Sequence, residues 1–204
     1  MLKIDNAELW VVSIHQVVKY KTVFQNEVES LSRLSNRLLS HAVEDCFNRK
    51  SMGGHITSSG FVVDIVRKKI LFIDHSFLQM LLQPGGHVET DLELWLSAVR
   101  EVIEECGLKS IMRHEWTLLH DCPFDIDTHH IPLNVSKQEI EHVHFDFGYL
   151  LIGDSTEELQ PQEEEVDAVM WEKLSFLDTL PGERFKRLKM KLIEFKIFRE
   201  EDFK

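Results

Sequence analysis

The sequence predicts an α/β fold in which a mixed sheet is covered by helices on both faces. Three observations lead there. Runs with the two-residue period of strands lie before, between and after runs with the helical period. Glycine and proline punctuate the boundaries. The 204 residues, 43% hydrophobic, are enough for one full core and make two complete domains a squeeze.

Taken in order, Trp10-Val11-Val12 fits either a short strand or the start of a helix. From about Val23 to Asn48 the spacing predicts a helix, with Val28, Leu31, Leu34, Leu38, Leu39, Val43 and Phe47 on one face, before Met52-Gly53-Gly54 breaks the pattern. Residues 1–52 are therefore expected to form an N-terminal helical extension, and residues 53–204 the main domain. Ile56–Asp64 and Ile70–Asp74 flank the basic turn Arg67-Lys68-Lys69 and predict a hairpin. Met80-Leu81-Leu82 leads into the turn signal Pro84-Gly85-Gly86. Further strands are expected at Trp116–His120, His142–Ile152 and Ala168–Trp171, and an amphipathic helix from about Glu183 to Phe198.

The most informative stretch runs from Gly86 to Leu108. Leu92, Trp95, Leu96, Val99, Val102, Ile103 and Cys106 recur at helical intervals, so one stripe should pack on a core, and Gly107 fits a left-handed cap. Glu101, Glu104 and Glu105 stand three and four apart, on one helical face that is expected to point away from that core. Like charges crowded in this way repel, and a hard divalent cation with oxygen ligands is the natural compensation. Taken alone, such acids are more often a solvated face; the glycine turn and Arg100 reverse that weighting.

This segment resembles the Nudix box, G-x5-E-x7-R-E-U-x-E-E-x-G-U, at Gly86, Arg100, Glu101, Val102, Glu104, Glu105, Gly107 and Leu108. It departs at Leu92, where the family has a glutamate, although Glu89, Asp91 and Glu93 lie nearby and a small local shift would supply a carboxylate. The resemblance extends roughly from His55 to Leu180. It implies a Nudix-like α/β/α sandwich in residues 53–204 with the helical extension as an accessory. It also implies a pyrophosphohydrolase that uses Mg2+ or Mn2+ on a nucleoside diphosphate linked to another moiety. On that resemblance Glu104 and Glu105 bind metal, Glu101 binds metal or acts as base, and the Gly85 carbonyl completes the coordination. Arg100 orients the glutamates, and Gly85 and Gly86 adjoin the substrate. One of Glu163, Glu164 and Glu165 is expected to add a ligand or the base, against the commoner reading of a solvated acidic loop. Two competing readings are a Nudix-fold module that senses a nucleotide or binds a protein with weak or no turnover, and an isomerase of an isoprenoid diphosphate. No second-site cysteine and glutamate constellation is assignable for the latter.

The net charge of −12 argues against a nucleic-acid polymer or an anionic membrane as partner, since both need a basic footprint. A small phosphorylated substrate bridged by metal ions remains compatible with it. Cys46, Cys106 and Cys122 form no C-x-x-C pair and read as reduced thiols. The N-terminus lacks a signal-peptide plan and no run approaches a membrane span, so a cytoplasmic location is expected. The N-terminal helices are expected either to pack on the domain or to join two chains in a homodimer.

Eleven histidines are unusual, and they group at His129-His130 and at His142 and His144, which share a strand face. His142 and His144 are expected to line the substrate cleft or to be ordinary sheet residues; a zinc site would need further ligands, and the sequence identifies none. Phe145, Phe147, Tyr149 and Trp171 fit a core better than a stacking platform for a base.

Overall fold

The structure is a computed structural model. It describes residues 6–40, 43–51, 53–89, 91, 93–135, 139–162 and 166–204. Glu163, Glu164, Glu165 and Leu92 lie outside the described residues.

The chain opens with helix α1 (Asn6–Val23), a 3-10 turn at Gln25–Glu27, helix α2 (Ser32–Ser40) and a second 3-10 turn at Val43–Cys46. Strands follow at β1 (His55–Asp64), β2 (Lys69–His75), β3 (Met80–Leu82) and β4 (Gly85–His87). Helix α3 (Leu94–Cys106), strand β5 (Met112–Arg113), helix α4 (Glu115–His120), strands β6 (Asp125–Ile131), β7 (His142–Ile152) and β8 (Val166–Lys173), and helix α5 (Glu183–Glu194) complete the domain. The sheet is mixed. Its path runs β3-β2-β1-β7-β5, with β4 also paired to β1, β6 to β7 and β8 to β2. Strands β1 and β7 are parallel from His55 opposite His144 to Val63 opposite Ile152, while the other pairings are antiparallel.

Strand β1 is buried along its whole length and divides two layers. Its even-numbered side chains face α3: Ser58 Oγ donates to the Leu94 carbonyl at 2.6 Å, and Gly60 lies against Val102. Its odd-numbered side chains face α5, where the Arg184 guanidinium sits 5.2 Å from the Phe61 ring and Phe185 packs on Phe72. Helices on both faces of a mixed sheet give the α/β sandwich expected from the order of elements.

Two local expectations give way to the structure. Residues 116–120 form helix α4 instead of a strand: the His114 side chain accepts from Trp116 N at its start, and Asp121 in the left-handed region ends it. The long helix expected over 23–48 is broken into α2 between 3-10 turns; Leu31, Leu34 and Leu38 are buried as its spacing demands, whereas Val28 and Leu39 are exposed. The preceding helix α1 buries Leu9, Ser13, Gln16, Val17 and Tyr20. Ser13 and Gln16 interrupt its apolar stripe, so the helical period is faint in the sequence. Ser13 Oγ donates within the helix to Leu9 O, while Gln16 Oε1 finds its partner only through the fold, accepting from Tyr149 of β7.

A buried polar knot ties this N-terminal segment to the sheet. Lys191 Nζ donates to Asp125 Oδ1 at 2.8 Å, to the Tyr20 hydroxyl at 2.7 Å and to the Phe124 carbonyl at 3.2 Å, and it pairs with Glu27 at 3.0 Å. Arg187 holds both oxygens of Asp125, at 2.7 and 2.9 Å. Burial works against the Asp125 charge, yet Lys191, Arg187 and Arg184 hold its carboxyl well below the usual carboxylate range. All three cysteines are buried.

Candidate active site and a histidine cluster

The glycine turn becomes a short strand. Gly85, Gly86 and His87 pair with Ser59, Ser58 and Thr57 of β1. Close approach demands the glycines: a Cβ on Gly85 would lie 2.4 Å from Ser59 Cβ, and one on Gly86 would lie 2.7 Å from the Glu101 carboxylate. The strand therefore runs beneath α3, close to its acids. Gly85 N donates to Glu105 Oε2 at 2.8 Å.

Helix α3 ends as expected, with Gly107 at φ 71° and its N–H on Ile103 O. Its buried face differs from the anticipated stripe. Leu94, Ser97, Ala98, Glu101, Val102, Glu105 and Cys106 are buried, whereas Ile103 is exposed. Glu101 and Glu105 thus turn toward the sheet instead of away from it, which is tolerable because burial there brings them to polar partners. Glu104, with its side chain half exposed, is the acid that reaches solvent.

Arg100 organises this corner. Its Nη1 donates to Glu101 Oε1 at 2.8 Å and to Glu104 Oε2 at 2.9 Å. Its Nη2 donates to the His87 carbonyl at 2.7 Å, and its Nε to Asp91 Oδ2 at 3.0 Å. Burial opposes the guanidinium charge, but Glu101 and Asp91 outweigh it and raise its pKa above the ordinary arginine value. Arg100 answers the mutual repulsion of the box carboxylates by holding one oxygen each of Glu101 and Glu104. The donor set of hard carboxylate oxygens beside a glycine strand fits a magnesium-like ion in chemical type.

His142 and His144 lie elsewhere. By strand alternation they share the face of β7 that meets the odd-numbered residues of β1, opposite the face on which α3 packs. There they join His55, His87 and His129. The His55 ring lies 5.0 Å from that of His87, 5.0 Å from that of His142 and 4.7 Å from that of His144, and the His129 ring is 5.6 Å from that of His144. Register explains the gathering: His55 and His129 both stand opposite His144, and His87 stands opposite Thr57. Burial, then His87 and His142, pushes His55 down to about 3. Burial, then His55 and His129, also lowers His144. Below the cluster Thr57 and Ser59 donate to Asp146, which Arg184 Nη2 holds at 2.6 Å. Sequence reading missed His55 and His87 because they are isolated in the chain and meet only through β-pairing; it missed the Asp125–Lys191 knot because its members lie 66 residues apart. The carboxylate it expected near Leu92 is supplied by Asp91.

A sheet sandwiched by helices, with an arginine-braced acidic helix behind a glycine strand, defines a class of protein. The NUDIX domain profile matches residues 57–191, and the chain belongs to that family. A relative described as a probable DHNTP pyrophosphohydrolase of Lactococcus lactis subsp. cremoris (strain MG1363) is 36% identical over 98 residues, covering 48% of this chain and 51% of the relative. The chain thus spans about half the length of that curated relative. Among solved structures, an Ap4A hydrolase binary complex from C. elegans superposes with a TM-score of 0.51 at 18% identity, over 69% of this chain and 96% of that one. A NUDIX-family hydrolase from Clostridium perfringens gives 0.48 at 23% identity, over 72% and 99%. The Ap4A hydrolase shares the fold. No helix among the described residues is long and apolar enough to cross a membrane.

Proposed function

We propose that this chain is a metal-dependent pyrophosphohydrolase acting on a nucleoside diphosphate linked to another moiety, with water attacking phosphorus. The observation that carries the proposal is the corner where Arg100 bridges Glu101 and Glu104 while Gly85 N holds Glu105. Glu101, Glu104 and Glu105, with the Gly85 carbonyl, are the residues that would hold Mg2+ or Mn2+. Such an ion, when bound, lowers the pKa of a coordinated water and neutralises charge on phosphate oxygens. The chain's own groups do the rest. Arg100 fixes the carboxylates in rotamers that leave Glu104 toward solvent, and glycine at 85 and 86 lets the strand lie against Ser59 and Glu101 where a side chain would not fit. Glu101, buried beside Gly86, would serve as ligand or as the base that takes the water's proton. The name of the Lactococcus relative, a pyrophosphohydrolase, supports the reaction class.

The test is a panel of nucleotide derivatives with magnesium, reading released phosphate or nucleoside monophosphate from the native chain and from Glu104→Gln. Turnover of at least one compound, reduced on the order of 100-fold or more by the substitution, is expected. Turnover that Glu104→Gln leaves unchanged overturns the proposal. Nucleotide binding without turnover by the native chain replaces it with the sensing module.

A further inference from the structure

We propose that His55, His87 and His144 form a second metal site, selective for zinc-like ions and separate from the carboxylate corner. One ligand nitrogen from each of the three lies within 4.8 Å of the others. An ion bound at about 2.0–2.1 Å from each nitrogen would draw the three rings closer together to close the set. His55 points to a ligand most directly: it is 0% exposed, and neither of its ring nitrogens has a hydrogen-bond partner among the described residues. A buried imidazole left in that state costs stability unless something occupies its lone pair.

His142 supplies an independent sign. Its Nδ1 lies 2.7 Å from the Ile140 carbonyl, which can only accept, so the proton sits on Nδ1 and Nε2 presents a lone pair. With that tautomer, His144 Nε2–H, 3.0 Å away, donates to it, and an ion taking both nitrogens would displace the His144 proton. A backbone carbonyl fixing one ring nitrogen while the other faces a cluster is the arrangement that orients metal-bound histidines. His142 is therefore the next donor beside the three. His129 repeats the pattern at the rim, with Nδ1 3.1 Å from Asp127 Oδ2. Imidazole nitrogens suit zinc, cobalt and nickel, whereas magnesium prefers oxygen, so the two sites divide metals by donor chemistry.

The sites touch through one residue. The His87 side chain belongs to the imidazole cluster, while its carbonyl accepts from Arg100 Nη2 at 2.7 Å. An ion on His87 would hold β4 and, through Arg100, the box acids in place.

The experiment uses the full chain, stripped with chelator and dialysed against zinc in excess magnesium, with bound metal counted by mass spectrometry. Cobalt serves as an optical probe. About one zinc per chain retained against magnesium, and visible cobalt bands of a nitrogen-rich site, are expected. His144→Gln should weaken zinc by about 100-fold or more while Glu104→Gln retains it. Since fully buried His55 could be needed for folding, His87→Gln is the second variant, each checked by circular dichroism. No zinc retained by the native chain overturns the proposal, as does zinc binding that His144→Gln and His87→Gln leave intact. Zinc lost in Glu104→Gln but kept in the histidine variants places the ion on the carboxylates and also overturns it. None of these readouts depends on turnover, so the fate of the hydrolase reading is decided separately.

Discussion

Asp91 Oδ2 accepts a hydrogen bond from Arg100 Nε at 3.0 Å and a second from Ser97 Oγ at 2.8 Å. The family motif has a glutamate one position later, where this chain has Leu92. Asp91 thus brings a carboxylate to the motif arginine from the neighbouring position. Asp91→Asn removes the charge while keeping the shape, and a charge-assisted bond of this kind contributes about 1.5–3 kcal/mol. On the proposed activity, kcat is expected to fall by roughly 10-fold or more with KM little changed, read by steady-state kinetics beside Asp91→Ala. Full activity in Asp91→Asn would show that Arg100 needs no such partner.

Gly86→Ala tests the close approach of strand and acid. The added methyl would lie 2.7 Å from Glu101's carboxylate, which must swing aside. Displacement of a catalytic group by about 1 Å can cost on the order of 100-fold in rate, and that loss is expected with only a modest change in melting temperature. An active Gly86→Ala enzyme would mean Glu101 need not sit where it does.

The Asp125 knot sets an acid limit on stability. Its folded pKa is depressed by Lys191, Arg187 and Arg184 against the effect of burial, so the contribution is fully present above the unfolded value of about 3.9 and lost as pH falls below it toward the folded value. Urea midpoints measured from neutral pH downward should drop more steeply below about pH 4 in the native chain than in Asp125→Asn. Parallel curves would remove Asp125 as the cause. Lys191→Met, which strips one cation from a buried carboxylate, is expected to cost about 3 kcal/mol, softened by the two remaining arginines.

Tyr149 and Gln16 couple β7 to α1. Tyr149→Phe deletes the donor and leaves a buried amide oxygen short of a partner, a loss of about 1–3 kcal/mol in chemical denaturation. Adding Gln16→Leu should recover part of that loss, because replacing both partners with apolar groups avoids the orphan. A double variant less stable than the sum of the singles would point to packing instead.

Periodicity located the hairpin of β1 and β2, the long strand β7, helix α3 with its Gly107 cap and the start of α5, because each carries its signal within a dozen or so consecutive residues. It faltered where a local signal was weak or misleading. Polar Ser13 and Gln16 hid α1, and the apolar run Trp116–Leu119 looked like a strand until His114 and Asp121 capped it as a helix. The stripe drawn on α3 was rotated because Trp95, Val99 and Ile103 are apolar without being its deepest residues, while Glu101 and Glu105 are buried against polar partners.

Order along the chain was enough to determine an α/β domain with an acidic, arginine-bearing helix behind two glycines, since those features are local and their spacing is set by helix and turn geometry. Only the folded sheet decided which charges meet. Asp125 with Lys191, and the rings of His55, His87 and His144, are brought together by strand register and helix packing. Those contacts join residues distant in sequence, and no local pattern encodes them.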